Sequence, residues 1–375
     1  MLCERWLTAR YTLGLCEEEM LNFTVGPVMS SPEVLEVSAE SAPYFRTKEF
    51  SDLMFENEKI FLSLLNAPER SRAVFLTTSG TGAMESCVMN VLNDNDKVIV
   101  INGGSFGQRF VDLCVLHSRS YAEIKLEFGT QVTRDHLAPF EGSDYTALLV
   151  NMHETSSGLL YDMELLSEFC KRNGILLVVD AISAFLAEEI DMELLGAAVV
   201  ITGSQKALAV HPGVSLVAMA PAAIERVESN GEKCLYLSLK QGLSNGARGQ
   251  TPWTPAVSVL MQINTRLRQI LRDGGVAACH KRTCELASQF RNAVADYAFE
   301  LVAENPSVAV TALKVPRGNA KQIIESFKQR GIWVCPNGGA HADDVFRVGH
   351  IGHITDADMA SLLAAFEDLH HEGLL

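Results

Sequence analysis

Short apolar runs recur along the first two-thirds of the chain, bounded by Gly, Asp or Asn. They are AVFLTT (73–78), KVIVIN (97–102), ALLVNM (147–152), ILLVVD (175–180), AVVIT (198–202) and VSLVAMA (214–220). Runs of this length without polar alternation suit strands buried on both faces. Between them, MESCVMNVL (84–92), FGQRFVDLCVLH (106–117) and MELLSEFCKRNG (163–174) place apolar residues at helical spacing, the last stopping on a glycine. Strand–helix alternation of this kind predicts an α/β fold with a mainly parallel sheet covered by helices.

Past residue 250 the pattern loosens. TPWTPA (251–256) leads into the helical stretch VSVLMQINTRLRQILRDGG, and later come VAVTALKV (308–315), a helix over 319–330, the strand IWVCP and a last helix from about Thr355. This predicts a large sheet domain over 22–250 and a smaller C-terminal α+β domain over 251–375. Residues 1–21, of mixed charge with Glu17, Glu18 and Glu19 in a row, read as an N-terminal extension or arm. The core is expected to begin at Asn22, where NFTVGPVMS joins a strand-like start to a Gly-Pro turn.

Composition agrees with a globular chain. Its 375 residues suggest about two domains, and 47% hydrophobic residues suffice for a large core. The 31 Lys and Arg against 46 Asp and Glu leave a net charge of −15, a surface that repels phosphate backbones and anionic membranes, so neither nucleic acid nor membrane is expected as a partner. No apolar run reaches the ~18–20 residues of a membrane span. The nine cysteines are scattered without a C-x-x-C pair, which points to reduced thiols and a cytoplasmic location.

Three features carry chemistry. TSGTGAMES (78–86) follows a strand and opens a helix, so the N–H groups of Ser79, Gly80 and Thr81 form a phosphate cradle at a positive helix end. A tight strand-to-helix turn accounts for the same residues; no Gly-Lys-Ser/Thr follows, and Glu85 breaks the dinucleotide fingerprint. Asp180 ends ILLVVD, where an open α/β sheet presents ligand-facing groups and where a carboxylate could anchor a protonated ring nitrogen or simply cap the next turn. Lys206, in TGSQKALAVHPG after AVVIT, sits in a small loop where partial desolvation would lower its pKa and make a usable amine nucleophile, or it is a surface lysine. Together, phosphate loop, strand-end Asp and strand-following Lys match the needs of pyridoxal phosphate.

With SGTGAMES, NGGSFGQR (102–109), HETSSG (153–158), VVDAISAF (178–185), GSQKAL (203–208) and FRVGHIG (346–352), the chain from about Asn22 onward resembles the class V aminotransferase family of fold-type-I pyridoxal-phosphate enzymes, near the alanine–glyoxylate and 2-aminoethylphosphonate–pyruvate transaminases. The resemblance implies a sheet of the seven-stranded type in the large domain. It makes Lys206 the Schiff-base lysine and Asp180 the partner of the pyridine nitrogen. Ser79, Gly80, Thr81 and Gln205 would hold the phosphate, Phe106 would stack on the ring, and Thr155 would lie near the ring oxygen. Thr254 matches a residue that reaches the neighbouring subunit's cofactor, which implies a homodimer with active sites at the interface. Arg347, in FRVGH, occupies the position that grips the substrate carboxylate, a task suited to a bidentate guanidinium; a structural salt bridge is the competing role. His350 and His353 could line the entrance; without a Cys or carboxylate at ligand spacing they suggest no metal site.

The implied reaction moves an amino group from a small primary amine or amino acid to a 2-oxo acid such as pyruvate or glyoxylate, in two half-reactions with Lys206 shuttling the proton. The alternatives are specific 2-aminoethylphosphonate–pyruvate transamination and a cysteine desulfurase or lyase on the same fold. A phosphonate would need further cations, for which Arg46, Arg248 and His153 are the candidates. A desulfurase typically has His before its lysine, where this chain has Gln205.

Overall fold

The computed structural model describes residues 20–375. The expected arm thus lies, up to residue 19, outside the described residues, while Leu21 opens strand β1 (Leu21–Phe23). Between residues 72 and 219 follow β2 (Arg72–Leu76), β3 (Lys97–Asn102), β4 (Ser120–Lys125), β5 (Ala147–Asn151), the short pair β6 (His153–Glu154) and β7 (Leu159–Leu160), then β8 (Leu176–Asp180), β9 (Ala197–Gly203) and β10 (Ser215–Met219). Apart from the β6–β7 hairpin, they form a seven-stranded sheet in the order β2–β10–β9–β8–β5–β3–β4. All neighbours run parallel except β10, which is antiparallel to both β2 and β9. Every residue of β5, β9 and β10 is buried, as fully apolar strands between two helical layers require. Only β4 had no apolar run to announce it. As one of the two sheet edges it sets exposed Ser120, Glu123 and Lys125 among half-buried Tyr121 and Ala122 and buried Ile124, and so lacks the signal of a doubly covered strand.

Helices α1 (Lys48–Leu64), α2 (Gly80–Asn90), α3 (Ser105–Leu116) and α4 (Met163–Asn173) cover this sheet. The second sheet has five strands, β1–β13–β14–β12–β11, where β11 is Glu300–Leu301, β12 Val310–Lys314, β13 Ile332–Pro336 and β14 Val345–Gly349. It packs over its own core of Phe290, Phe327, Phe346 and Phe366.

The packing does not change at residue 250. Helix α5 (Val257–Arg272) places Leu260, Ile263, Leu267 and Ile270 in the same core as α1 and the large sheet, because its apolar stripe faces inward there. The next helix, α6 (Gly275–Ala293), contributes Leu286 and Phe290 to the core of the small sheet. The small sheet also recruits β1 from the beginning of the described chain, parallel to β13. The sequence pattern marked the loosening near 250 but could not show which core each later helix serves. No helix among the described residues is long and apolar enough to cross a membrane.

Candidate active site

The C-terminal ends of β8 and β9 deliver two charged groups to one place. Asp180 is the last residue of β8, and its Oδ1 accepts from the Ile182 backbone N–H at 2.8 Å. Burial pushes its carboxyl up to about 6; the backbone bond, Arg109 and Lys206 pull the other way. Ile182 packs directly on the start of α2, since a Cβ on Gly80 would lie 2.3 Å from its Cδ1. The N-cap Ser79 makes no side-chain capping bond, so the first N–H groups of α2 keep their donor capacity.

Lys206 stands three residues beyond β9. Burial is the main cause that brings its ammonium down to about 8, with Arg347 and Arg109 adding to the shift and Cys335 and Asp180 opposing it. Its Nζ donates to the Val25 carbonyl oxygen. The loop that follows β1 presses against it: Val28 N–H donates to the Gln205 carbonyl at 3.2 Å, and a Cβ on Gly26 would sit 2.7 Å from Lys206 Cδ. Gly26 has φ +122°, a conformation that glycine adopts without strain. The Gln205 side chain ends in a buried amide oxygen with no hydrogen-bond partner.

The start of α3 carries Phe106, half-buried, with the Arg109 guanidinium 4.9 Å from its ring centroid. Arg109 Nη1 donates to Thr81 Oγ1 at 3.0 Å, which links the Phe106 turn to the α2 cradle. The N-terminus of α3 has no cap of its own, because Gly104 precedes it. Glu154, fully buried, supplies one from β6: its Oε2 accepts from Gly107 N–H at 3.0 Å, Phe106 N–H at 3.2 Å and Asn151 Nδ2 at 3.0 Å. A carboxylate at a helix N-terminus is stabilised by the helix dipole as well as by these bonds. Sequence reasoning does not single out Glu154 or Arg109, although they lie in HETSSG and NGGSFGQR; an acid closely flanked by Asn151 and Ser156 is the available signal.

Thr155 Oγ1 shares a 2.6 Å hydrogen bond with Ser183 Oγ, beyond the end of β8. The Thr155 carbonyl accepts from Arg347 Nη1 at 2.9 Å, and Arg347 Nη2 donates to the Pro336 carbonyl at 2.6 Å. Arg347 Nε is buried without a partner, and no carboxylate forms an ion pair with this guanidinium among the described residues. Cys335 is its cross-strand neighbour on β13. Asn337 fixes the same corner by donating to the Ser156 carbonyl at 2.9 Å.

Other expected positions fall elsewhere. Thr254 is exposed and makes no side-chain hydrogen bond to the described residues, in a loop held by Arg46, which donates to the Thr251 carbonyl at 2.9 Å and to Gln250 Oε1 at 3.1 Å. Arg248 bonds Asn245 Oδ1 at 2.7 Å on the surface. His153 is buried, and burial brings its imidazole down to about 3, so it is neutral. Of the three candidate cations, Arg46 and Arg248 bond only neutral groups and keep their charge, whereas His153 carries none in this buried position. His350 is buried against Phe290 rather than lining an entrance, and only His353 is exposed.

The residues present fit pyridoxal phosphate. Asp180 is a buried carboxylate with one backbone donor, and a protonated ring nitrogen would supply the missing cation. An uncapped helix start, tightened by the missing Cβ of Gly80, offers N–H donors to a phosphate. The desolvated lysine offers the amine.

Comparison with known proteins agrees. The family model described as Aminotransferase class-V matches residues 35–351. An uncharacterized aminotransferase of Methanocaldococcus jannaschii is 30% identical over 363 residues, covering 91% of this chain and 90% of that protein. The L-aspartate–glyoxylate aminotransferase of Paracoccus denitrificans is 30% identical over 308 residues, covering 78% of this chain and 77% of that protein. Among solved structures, an aspartate aminotransferase of subgroup IV from Thermus thermophilus superposes with a TM-score of 0.87 at 25% identity, covering 94% of this chain and 99% of that one. With its seven-stranded sheet and this array of groups, the chain belongs to the class V aminotransferase family and is a pyridoxal-phosphate-dependent transaminase.

Proposed function

We propose that this transaminase moves an amino group from a small primary amine or amino acid to glyoxylate or pyruvate, with Lys206 as the Schiff-base lysine and Arg347 as the carboxylate receptor. The observation that carries the choice of a carboxylate substrate is the buried Arg347 guanidinium, whose Nε has no partner and which no protein carboxylate neutralises among the described residues. A substrate carboxylate completes it at a position beside Lys206.

When bound, pyridoxal phosphate supplies an electron sink that lets the bond to a substrate α-proton ionise. The rest falls to the protein. Asp180 holds a proton on the ring nitrogen by placing a negative charge against it. The α2 start, through Ser79, Gly80 and Thr81, anchors the phosphate with Gln205. Phe106 covers one face of the ring, and Arg109 and Glu154 hold Phe106 in place. Thr155 positions the ring oxygen. Lys206 Nζ, whose burial favours the neutral amine, would take the substrate α-proton and hold it for return.

The assembly we propose is a cytoplasmic homodimer in which Thr254 reaches the neighbouring subunit's cofactor. Its exposure, in a loop tied to Arg46 through the Thr251 carbonyl, is compatible with that use, and every cysteine among the described residues is free, as a reducing compartment requires. A screen of amine donors against glyoxylate and pyruvate, read as keto-product formation, tests the function. Parallel double-reciprocal lines are expected for the two-stage reaction. Sulfide release from cysteine without keto-acid consumption would replace this reading with a desulfurase.

A further inference from the structure

The described residues also bound a cleft of about 340 Å³ between α5, α6 and the loop over 350–354, whose lining takes in Ala207, next to Lys206, and His353. Ile270, Leu286 and Ile351 give it apolar walls. Arg266 enters from α5, and burial pulls its pKa below the usual arginine range. Its Nε donates to the Leu208 carbonyl at 3.2 Å and its Nη1 to Gln269 Oε1 at 3.4 Å, while Nη2 makes no hydrogen bond to the described residues. The other charged groups of the cleft are already paired: Asp273 with Arg272 at 3.1 Å, and Arg282 with Asp356 at 2.7 Å. No carboxylate forms an ion pair with Arg266 among the described residues.

A second group in the same wall lacks a partner. His350 is 1% exposed, its Nε2 is taken by Thr311 Oγ1 at 2.8 Å, and its Nδ1 bonds nothing. A half-buried guanidinium with no ion-pair partner, on which Asp273 acts only from beyond ion-pair distance, keeps Nη2 open to a ligand, and a buried ring nitrogen without a partner costs stability unless something completes it.

We propose that this cleft is a second ligand site that takes a small aliphatic monocarboxylate, its carboxylate on Arg266 and its carbon chain against Ile270, Leu286 and Ile351. A single unpaired cation beside apolar walls matches one negative charge on a hydrocarbon body. Inorganic phosphate brings two charges and no apolar surface, and matches less well.

Calorimetric titration of hexanoate into the cofactor-loaded protein tests this, with hexanol and inorganic phosphate as the comparison probes. The expected result is a binding heat that survives Arg347→Met, which removes the other carboxylate receptor, and that weakens on the order of tenfold or more in Arg266→Met. Because Arg266 also braces the Leu208 carbonyl, Ala278→Trp, which fills the cleft from α6 and leaves the arginine in the sequence, serves as the second variant and should abolish the heat. Loss of binding in Arg347→Met alone, or retention in Ala278→Trp, overturns the proposal. Equal affinity for hexanol removes the carboxylate from it, and binding of phosphate in place of hexanoate contradicts the ligand class.

Discussion

Arg347 Nη1 donates to the Thr155 carbonyl at 2.9 Å, so a strand of the small sheet is tied to the turn after β6 by the same guanidinium whose Nε remains unpartnered. The side chain is thus oriented before any substrate arrives. Two backbone carbonyls fix its plane without neutralising its charge. If Arg347 is the carboxylate receptor proposed above, a side chain fixed in this way would lose little entropy on docking.

Arg347→Lys keeps the charge but loses the planar fork. A charge-assisted hydrogen bond contributes roughly 1.5–3 kcal/mol, so kcat/KM for a 2-oxo acid should fall on the order of 10- to 100-fold. The loss should be smaller for a donor lacking a carboxylate, and cofactor absorbance should stay unchanged. Single-turnover absorbance of each half-reaction measures this. Equal losses for both substrate types would make Arg347 only a brace between Thr155 and Pro336.

Asp180 is expected to trade stability for chemistry. In the cofactor-free protein its carboxyl titrates near 6, above the ordinary value of 3.8. The folded chain therefore holds a proton that the unfolded chain has lost between those values, and above about 6 it carries the full cost of a buried anion. Asp180→Asn should stabilise the cofactor-free protein at pH 7.5 by about 1–3 kcal/mol, with the gain shrinking toward pH 5. The same variant should be severely impaired in turnover, because an amide cannot keep the ring nitrogen protonated. Denaturant melts at the two pH values decide it; a less stable variant at pH 7.5 would show that the carboxylate is already compensated.

The parts of this molecule legible in its sequence are those that obey a local rule. Six buried strands announced themselves as unbroken apolar runs, and α4 ended at Gly174, which adopts φ 66°. Lys206 and Asp180 were visible because each follows such a run directly. Tertiary facts were not. The strand β4 is an edge and carries no apolar run. Helix α5 has an ordinary amphipathic stripe that does not say which core it fills. Glu154 serves α3 from a separate strand across 47 residues of chain, a relation that no spacing rule contains. His350, next to the FRVG strand, is turned inward by its bond to Thr311.

With Lys206 as the proposed Schiff-base lysine, its ionisation is expected to set the pH dependence of cofactor capture. The neutral amine is the attacking form, and its pKa of about 8, against the ordinary 10.5, leaves a usable fraction at neutral pH. The ammonium form is the one penalised by burial, so this cost to stability is present below about 8 and is relieved as pH rises toward 10.5. The rate of pyridoxal phosphate uptake by the cofactor-free protein should rise about tenfold per pH unit up to about 8 and flatten above it. A rise continuing to pH 10 would show a solvated lysine.

Gly26→Ala tests the contact that presses on this lysine. The new Cβ would lie 2.7 Å from Lys206 Cδ, at a φ of +122°. Cofactor uptake should slow markedly, beyond what a stability loss of about 1 kcal/mol explains. Uptake at the unaltered rate would mean that the loop over 24–28 yields freely.

The central claim is that Lys206 carries the cofactor. Reducing the cofactor-loaded protein with borohydride and mapping the pyridoxyl-labelled peptide tests it most directly. The label should fall on Lys206 alone and be absent from a folded Lys206→Ala variant; a label on any other lysine, or an undiminished one in Lys206→Ala, would contradict the account.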